Sequence, residues 1–206
     1  INTFYMAKSA GVDPATGAQL YWVYDKDENG NITNERISDD YSKASTSKYY
    51  QGNRIPDLYG SIGTDFSYKG FDLSVLTSYS IGGKIYDSLY TGSMNAQYAT
   101  NTWNKHQLRR WQKPGDITDV PRVEINGAYT TTDRFLINAS YFAIKNITLG
   151  YSLPKDWMRK AKLGNVRVFG SIDNLALFSH VKGMDPQYNF KGETDYSYTP
   201  NKTYSF

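Results

Sequence analysis

Residues 58–81 constrain this chain more than any other stretch. From Leu58 to Tyr68 the even positions read Leu58, Gly60, Ile62, Thr64, Phe66 and Tyr68, against Tyr59, Ser61, Gly63, Asp65 and Ser67 at the odd ones. A period of two with one greasy and one polar side is the pattern of a strand that meets different surroundings on its two faces. Lys69-Gly70 supplies a tight turn. The alternation then resumes with Phe71, Leu73, Val75, Thr77, Tyr79 and Ile81 opposite Asp72, Ser74, Ser78 and Ser80, and only Leu76 interrupts the polar side. Both arms are longer than the roughly five or six residues of a typical globular strand, and match the roughly 9–11 residues that a tilted strand needs to cross a bilayer.

The rest of the chain extends this all-β, antiparallel reading. Ser140 to Leu153 places Phe142 and Ile144 on one parity and Ile147, Leu149, Tyr151 and Leu153 on the other, which predicts a bulge near Lys145-Asn146. Asn165 to Leu175 returns as its partner strand, after a turn with a helical segment at Asp156 to Lys162 closed by Gly164. Thr3 to Ala10 and Ala18 to Asp25 form another pair around residues 11–17, and Thr199 to Phe206 begins a seventh strand. Connections alternate: 11–17, 69–70 and 154–164 are short, whereas 26–57, 82–139 and 178–198 are long. Short turns at one end and long loops at the other are the asymmetry of outer-membrane barrels, with strands apolar outside and polar inside. A soluble β-sandwich or barrel is the alternative, but it seldom carries structureless connections beyond about fifteen residues.

Composition bears on this choice mainly by exclusion. With no cysteine, disulfide scaffolds, thiolate metal sites and cysteine nucleophiles are ruled out. His106 and His180 are too few and too far apart in sequence for an imidazole metal cluster. No apolar run is long enough for a transmembrane helix. The mean hydropathy of −0.61 looks soluble, yet it averages lipid-facing residues with lumen-facing serines and aspartates and with polar loops. Nineteen tyrosines are what two interfacial aromatic girdles would carry. Ile1 starts in mid-pattern without an initiator Met or signal segment, so a piece of something longer is expected.

Several clusters invite a chemical reading. Asp25 to Thr33 copies the first half of a calcium loop, but Arg36 stands where the bidentate Glu belongs, and an Asx-turn explains the residues better. Trp103, Arg109, Arg110, Trp111 and Tyr129 in the long loop offer flat aromatic faces and guanidinium forks for a sugar or peptide. Anchoring of the tryptophans against a rim or a partner is the plainer account. Asp116 and Asp119 have the residue types of a glycosidase pair, but turn chemistry in a Pro/Gly-rich segment accounts for them. Lys155, Arg159, Lys160 and Lys162 around Trp157 suggest an anionic surface or nucleic acid; a solvated turn with Trp157 at a membrane interface fits better, and no nucleic acid is expected. Phe66, Leu73, Val75, Leu149 and Tyr151 are expected to face the membrane. No catalytic residue, metal or cofactor is expected.

Four collinear stretches resemble a known family. Arg54 to Ser74 (R-I-P-D-L-Y-G-S-I-G-T-D-F-S-Y-K-G-F-D-L-S) resembles the penultimate barrel segments of SusC/RagA-type TonB-dependent outer-membrane transporters. Trp111 to Arg122 is similar to their W-x-x-P-G-D-x-T-D-x-P-R loop, and Ala139 to Pro154 to their A-S-Y-x-R-L-K-N-I-T-L-G-Y-x-L-P run, with Ala143 where Arg is usual. Asp173-Asn-Leu175 and Gly183-Met-Asp-Pro186 follow in the family's order. The resemblance implies that residues 1–206 are the carboxy-terminal portion of a barrel of about 22 strands, with about seven of them here. Plug domain and signal peptide would lie upstream, and further strand residues after Phe206. It also implies a non-enzymatic importer of glycans or peptides, integral to the outer membrane of a Gram-negative bacterium and in contact with its lipid. A SusD/RagB-type lipoprotein lid and TonB would be its partners. The alternative remains a soluble or surface-exposed carbohydrate-binding β-domain.

Overall fold

The computed structural model describes residues 3–95, 102–124, 131–160, 162–181, 184–188, 191–194 and 199–206. In chain order its elements are β1 (Thr3–Val12), β2 (Gln19–Lys26), β3 (Ile32–Ser38), α1 (Tyr41–Thr46), β4 (Lys48–Asn53), β5 (Leu58–Tyr68), β6 (Phe71–Ile81), β7 (Lys84–Tyr86), α2 (Ser88–Met94), β8 (Leu136–Asn138), β9 (Tyr141–Ser152), α3 (Lys155–Lys160), β10 (Arg167–Ser179) and β11 (Thr203–Ser205). The chain divides into two units. The first comprises Ile1–Arg54, Lys84–Ile137 and Lys191–Tyr196; the second comprises Ile55–Gly83, Asn138–Phe190 and Ser197–Phe206.

In the first unit the strands run in the order β3-β2-β1-β4, all antiparallel. Asp40 caps α1 by accepting from the Ser42 amide at 2.9 Å, and the helix buries Ala44 against Ala7, Tyr21 and Val23, with Tyr41 packed alongside. A second core gathers Tyr86, Met94, Val120 and Phe135, with Phe4, Met6, Tyr90 and Leu136 around it. Asp87 caps α2 through the Tyr90 amide, and Thr194 donates to the same carboxylate oxygen. These are ordinary water-excluded cores, driven by burial of apolar surface.

In the second unit the order is β11-β10-β9-β6-β5, antiparallel throughout. Lys69 and Gly70 both take positive φ, 45° and 89°, as a primed two-residue hairpin turn requires. The bulge expected near Lys145-Asn146 is there, since Leu76 pairs with Asn146 and Thr77 with Ile144, skipping Lys145. β10 answers with its own irregularity at Asn174-Leu175, where Asn174 has φ 51° and donates its side-chain amide to the Asn201 carbonyl. The Asp173-Asn-Leu175 motif is therefore a bulge, held by the segment that leads into β11.

Three expectations need correction. The residues described contain eleven strands, not seven, and only five belong to the sheet that β5 and β6 define. β1 and β2 do pair, but in the other sheet, so the alternation of short and long connections does not extend to residues 11–57. The "loop" 26–57 folds as β3, α1 and β4, with β4 returning to pair with β1, and 82–139 holds β7, α2 and β8. Backbone donors in such lengths need partners, and regular structure supplies them.

Candidate functional site

Register decides which side chains of the second unit share a face, because directly opposed residues of antiparallel strands point the same way. Phe66 pairs with Leu73, Leu73 with Leu149, Val75 with Ile147 and Phe71 with Tyr151. Phe66, Leu73, Val75, Leu149 and Tyr151 are thus on one face, joined across β10 by Val168 and Ile172 and across β11 by Tyr204. Phe66, Leu149, Val168 and Tyr204 are more than half exposed. Phe71 and Tyr151 stack at 4.5 Å between ring centroids.

The opposite face is polar and cross-linked. The Arg167 guanidinium forks onto both carboxylate oxygens of Asp72, two strands away, and the pair lies directly over Gly150 on the strand between, where any Cβ would collide with both. Asn146 donates to Ser171 at 2.9 Å and to Asp173 at 2.7 Å, and Thr148 to Asn146 at 3.0 Å. Neither the ion pair nor the network is apparent from sequence, because their residues are separated by up to 95 positions. Beside the two bulges an open groove of about 610 Å³ is lined by Ala143, Lys145, Asn174, Leu177, Met184 and Lys202.

In the first unit the long-loop candidates that fall among the described residues have separate partners. The Trp111 ring covers Gly17, which has φ 74° and no room for a side chain beneath the indole. Trp111 Nε1 donates to the Pro14 carbonyl at 2.9 Å, the Gly115 amide donates to the same carbonyl at 2.8 Å, and Arg122 Nη1 donates to the Thr16 carbonyl at 2.9 Å. The W-x-x-P-G-D segment is thus a lock on the 11–17 turn. Arg109 reaches Asp119 at 3.4 Å on the surface, Arg110 donates to the Gln107 carbonyl, Trp103 is partly exposed, and Tyr129 lies outside the described residues. Leu108 and Ile117, not singled out by sequence, are far more exposed, at 75% and 94%.

The acidic candidates are committed to local turns. Asp116 accepts from the Gln112 and Lys113 amides, each at 3.0 Å. Asp27 accepts from the Asn29 and Asn31 amides, an Asx-turn, and its hydrogen bonds to Asn31 hold its carboxyl below the usual range. Asp25 takes Arg36 on both oxygens, at 2.7 and 3.1 Å, and Asn34 at 2.9 Å; these bonds depress it likewise. Arg36 thus fills the coordination that a cation would need. Among the described residues no three His, Asp or Glu side chains are grouped to hold a metal ion.

No family model matches the chain. "TonB-dependent receptor P3" of Formosa agariphila is 32% identical over 146 residues, 70% of this chain and 14% of the relative. "TonB-dependent receptor SusC" of Bacteroides thetaiotaomicron is 26% identical over 200 residues, 90% of this chain and 18% of the relative. Among solved structures, the RagAB peptide importer in its closed-closed state aligns with a TM-score of 0.81 at 26% identity, covering 98% of this chain and 22% of that one. The chain therefore spans less than a fifth of the curated relatives it matches.

Proposed function

We propose, for a chain that shares both sequence and fold with the SusC/RagA-type TonB-dependent receptors, that residues 1–206 are the carboxy-terminal portion of an outer-membrane nutrient importer. The five-stranded sheet would be one wall of a closed barrel of about 22 strands. Its apolar face meets lipid, and its polar face, with Asp72–Arg167 and the Asn146 network, lines the lumen around a plug contributed by another part of the protein. The observation that carries this reading is the two-sidedness of the sheet: most of its large aromatic and aliphatic residues are exposed on one face, while its hydrogen-bonded polar groups, with Tyr59, Leu76 and Phe169 among them, occupy the other. In water that face would be an aggregation site; in a bilayer it is the solvated surface.

The protein moves cargo and does no chemistry on it. The cargo is an oligosaccharide or a peptide, a class supported by the RagAB and SusC likeness; TonB supplies the energy and a SusD/RagB-type lipoprotein covers the outer mouth. The tight turns at 69–70 and 153–166 face the periplasm. The long connections 26–57, 82–139 and 178–198 face outward, where Trp103, Arg109, Arg110 and Tyr129 meet substrate or lid, and Trp111 holds the 11–17 turn. Two measurements test this. The full-length protein should require detergent for extraction, and cells lacking it should lose uptake of one class in a panel of glycans and peptides. Recovery as a soluble monomer without detergent would overturn the reading.

A further inference from the structure

We infer that the tight-turn end of the second unit is a docking site for anionic phospholipid headgroups. The inference rests on the barrel reading above and adds a ligand class to it. Two short connections meet at this end: the Ser152 amide donates to the Gly70 carbonyl at 2.8 Å, and the Leu153 amide to the Val166 carbonyl at 3.0 Å. Together residues 69–70 and 153–166 carry Lys69, Lys155, Arg159, Lys160 and Lys162 against the single acid Asp156. This end alone therefore holds a net charge of +4, more than the +3 of the whole chain, and everything else sums to one negative charge. All five cations are exposed. Arg159 has Asp156 at 3.5 Å, and Lys69 lies over the Tyr68 ring at 5.2 Å; Lys155, Lys160 and Lys162 have no ion pair among the described residues.

Placement makes this charge specific. Tyr68, Phe71, Tyr151 and Val168 are the last residues of the apolar face before the turns. Lys69 follows Tyr68 directly and Lys155 lies four residues after Tyr151, so the cations lie just past the end of the apolar face. α3 and the turn after it add apolar side chains, with Met158 buried while Trp157 and Leu163 stay 62% and 56% exposed. An aromatic belt with unpaired lysines just outside it matches a layer of acyl chains and phosphates. A zwitterionic headgroup has no net charge to offset four positive ones, so the preference is for anionic lipid.

The test uses the full-length receptor in nanodiscs of equimolar phosphatidylcholine and phosphatidylglycerol, with retained lipid counted by native mass spectrometry. Wild type should retain phosphatidylglycerol over phosphatidylcholine by about tenfold, because several exposed cations attract an anionic headgroup and salt screens only part of that attraction. K155Q/R159Q/K160Q/K162Q should bring the ratio to parity, whereas K26Q/K43Q/K105Q/K113Q, the same charge loss in the first unit, should leave it unchanged. K155Q/K160Q, which keeps the Arg159–Asp156 pair, should lose a few-fold, and salt should weaken the wild-type preference. Parity in wild type, or an unchanged ratio in both turn variants, overturns the inference while the barrel stands. A receptor that does not enter the nanodisc overturns both.

Discussion

The two units solve opposite solvent problems with one composition. Of the twelve buried apolar residues among those described, ten are in the first unit; the second contributes Ala143 and Met158. The first carries fourteen basic and fourteen acidic residues, whereas the second carries nine and six, with its excess at the tight turns. A neutral unit with its own cores is built for water. Among the described residues the second unit buries only Ala143 and Met158, so on the barrel reading proposed above its stability comes from the bilayer around it and from neighbouring strands. Mean hydropathy cannot separate the two, because it records how many apolar residues there are and not where they face.

The sharpest way to break the comparison is to damage each unit by its own rule. Phe135 is 2% exposed in the second core of the first unit and touches Tyr86 and Tyr90 edge-on. Phe135→Ala should cost about 3–5 kcal/mol, seen as a loss of hydrogen-exchange protection in residues 84–94 and 131–136, with no change in the protection of β5, β6 and β9. Uniform loss over both units would mean that they fold as one cooperative body. Leu73→Arg and Leu149→Arg, on the apolar face two residues from its turn end, should each lower stability in a bilayer by less than the roughly 2–4 kcal/mol of a midplane position. Measured as folding yield into vesicles, the two costs should be similar, because directly paired residues sit at similar depth. A second unit that behaved as a soluble β-domain would tolerate both.

These variants also show what the sequence could and could not disclose. β5 and β6 were legible to the residue, because eleven alternating positions and a Lys-Gly turn admit one register. The β9 bulge was legible as well, since a change of parity within an apolar stripe has one economical cause. Residues 26–57 were not: Ile32–Ser38 and Lys48–Asn53 are strands of low apolar content with largely exposed faces, so pairing with β2 and β1 made them strands where local pattern gave no sign. Trp111 shows the same limit at the candidate site. Its motif was recognisable, but its partner, the Gly17 turn, lies 94 residues away in sequence, and nothing local says that the indole faces a turn and not a ligand.

Trp111 therefore gives a smaller, more discriminating test. Trp111→Phe keeps a ring over Gly17 but removes the Nε1 donor to Pro14, and should cost about 1 kcal/mol, visible as faster exchange at residues 13–18 with binding of cargo or lid unchanged. Loss of binding at unchanged exchange would make Trp111 a contact residue and not a lock.

The smallest effects are those of pH on the first unit. Asp13, Asp25 and Asp27 are held below the ordinary carboxylate range by Thr16, Arg36 and Asn31 respectively. A depressed group contributes stability that is present above its unfolded value of about 3.9 and is lost as pH falls through the folded one. Asp133 runs the other way. Burial pushes its carboxyl up despite the Ser9 amide at 2.7 Å, so its charged form costs stability above the raised value, and that cost is relieved as pH falls through it. Acidification from neutrality should first tighten exchange around Ser9 and residues 132–136, then loosen the turns at 13–16 and 25–36 below about pH 4. Asp133→Asn should erase the first phase and leave the second. The order follows from the directions of the shifts alone, so loosening of the turns at a higher pH than the Asp133 phase would mean that Arg36 and Thr16 do not hold those carboxylates in solution.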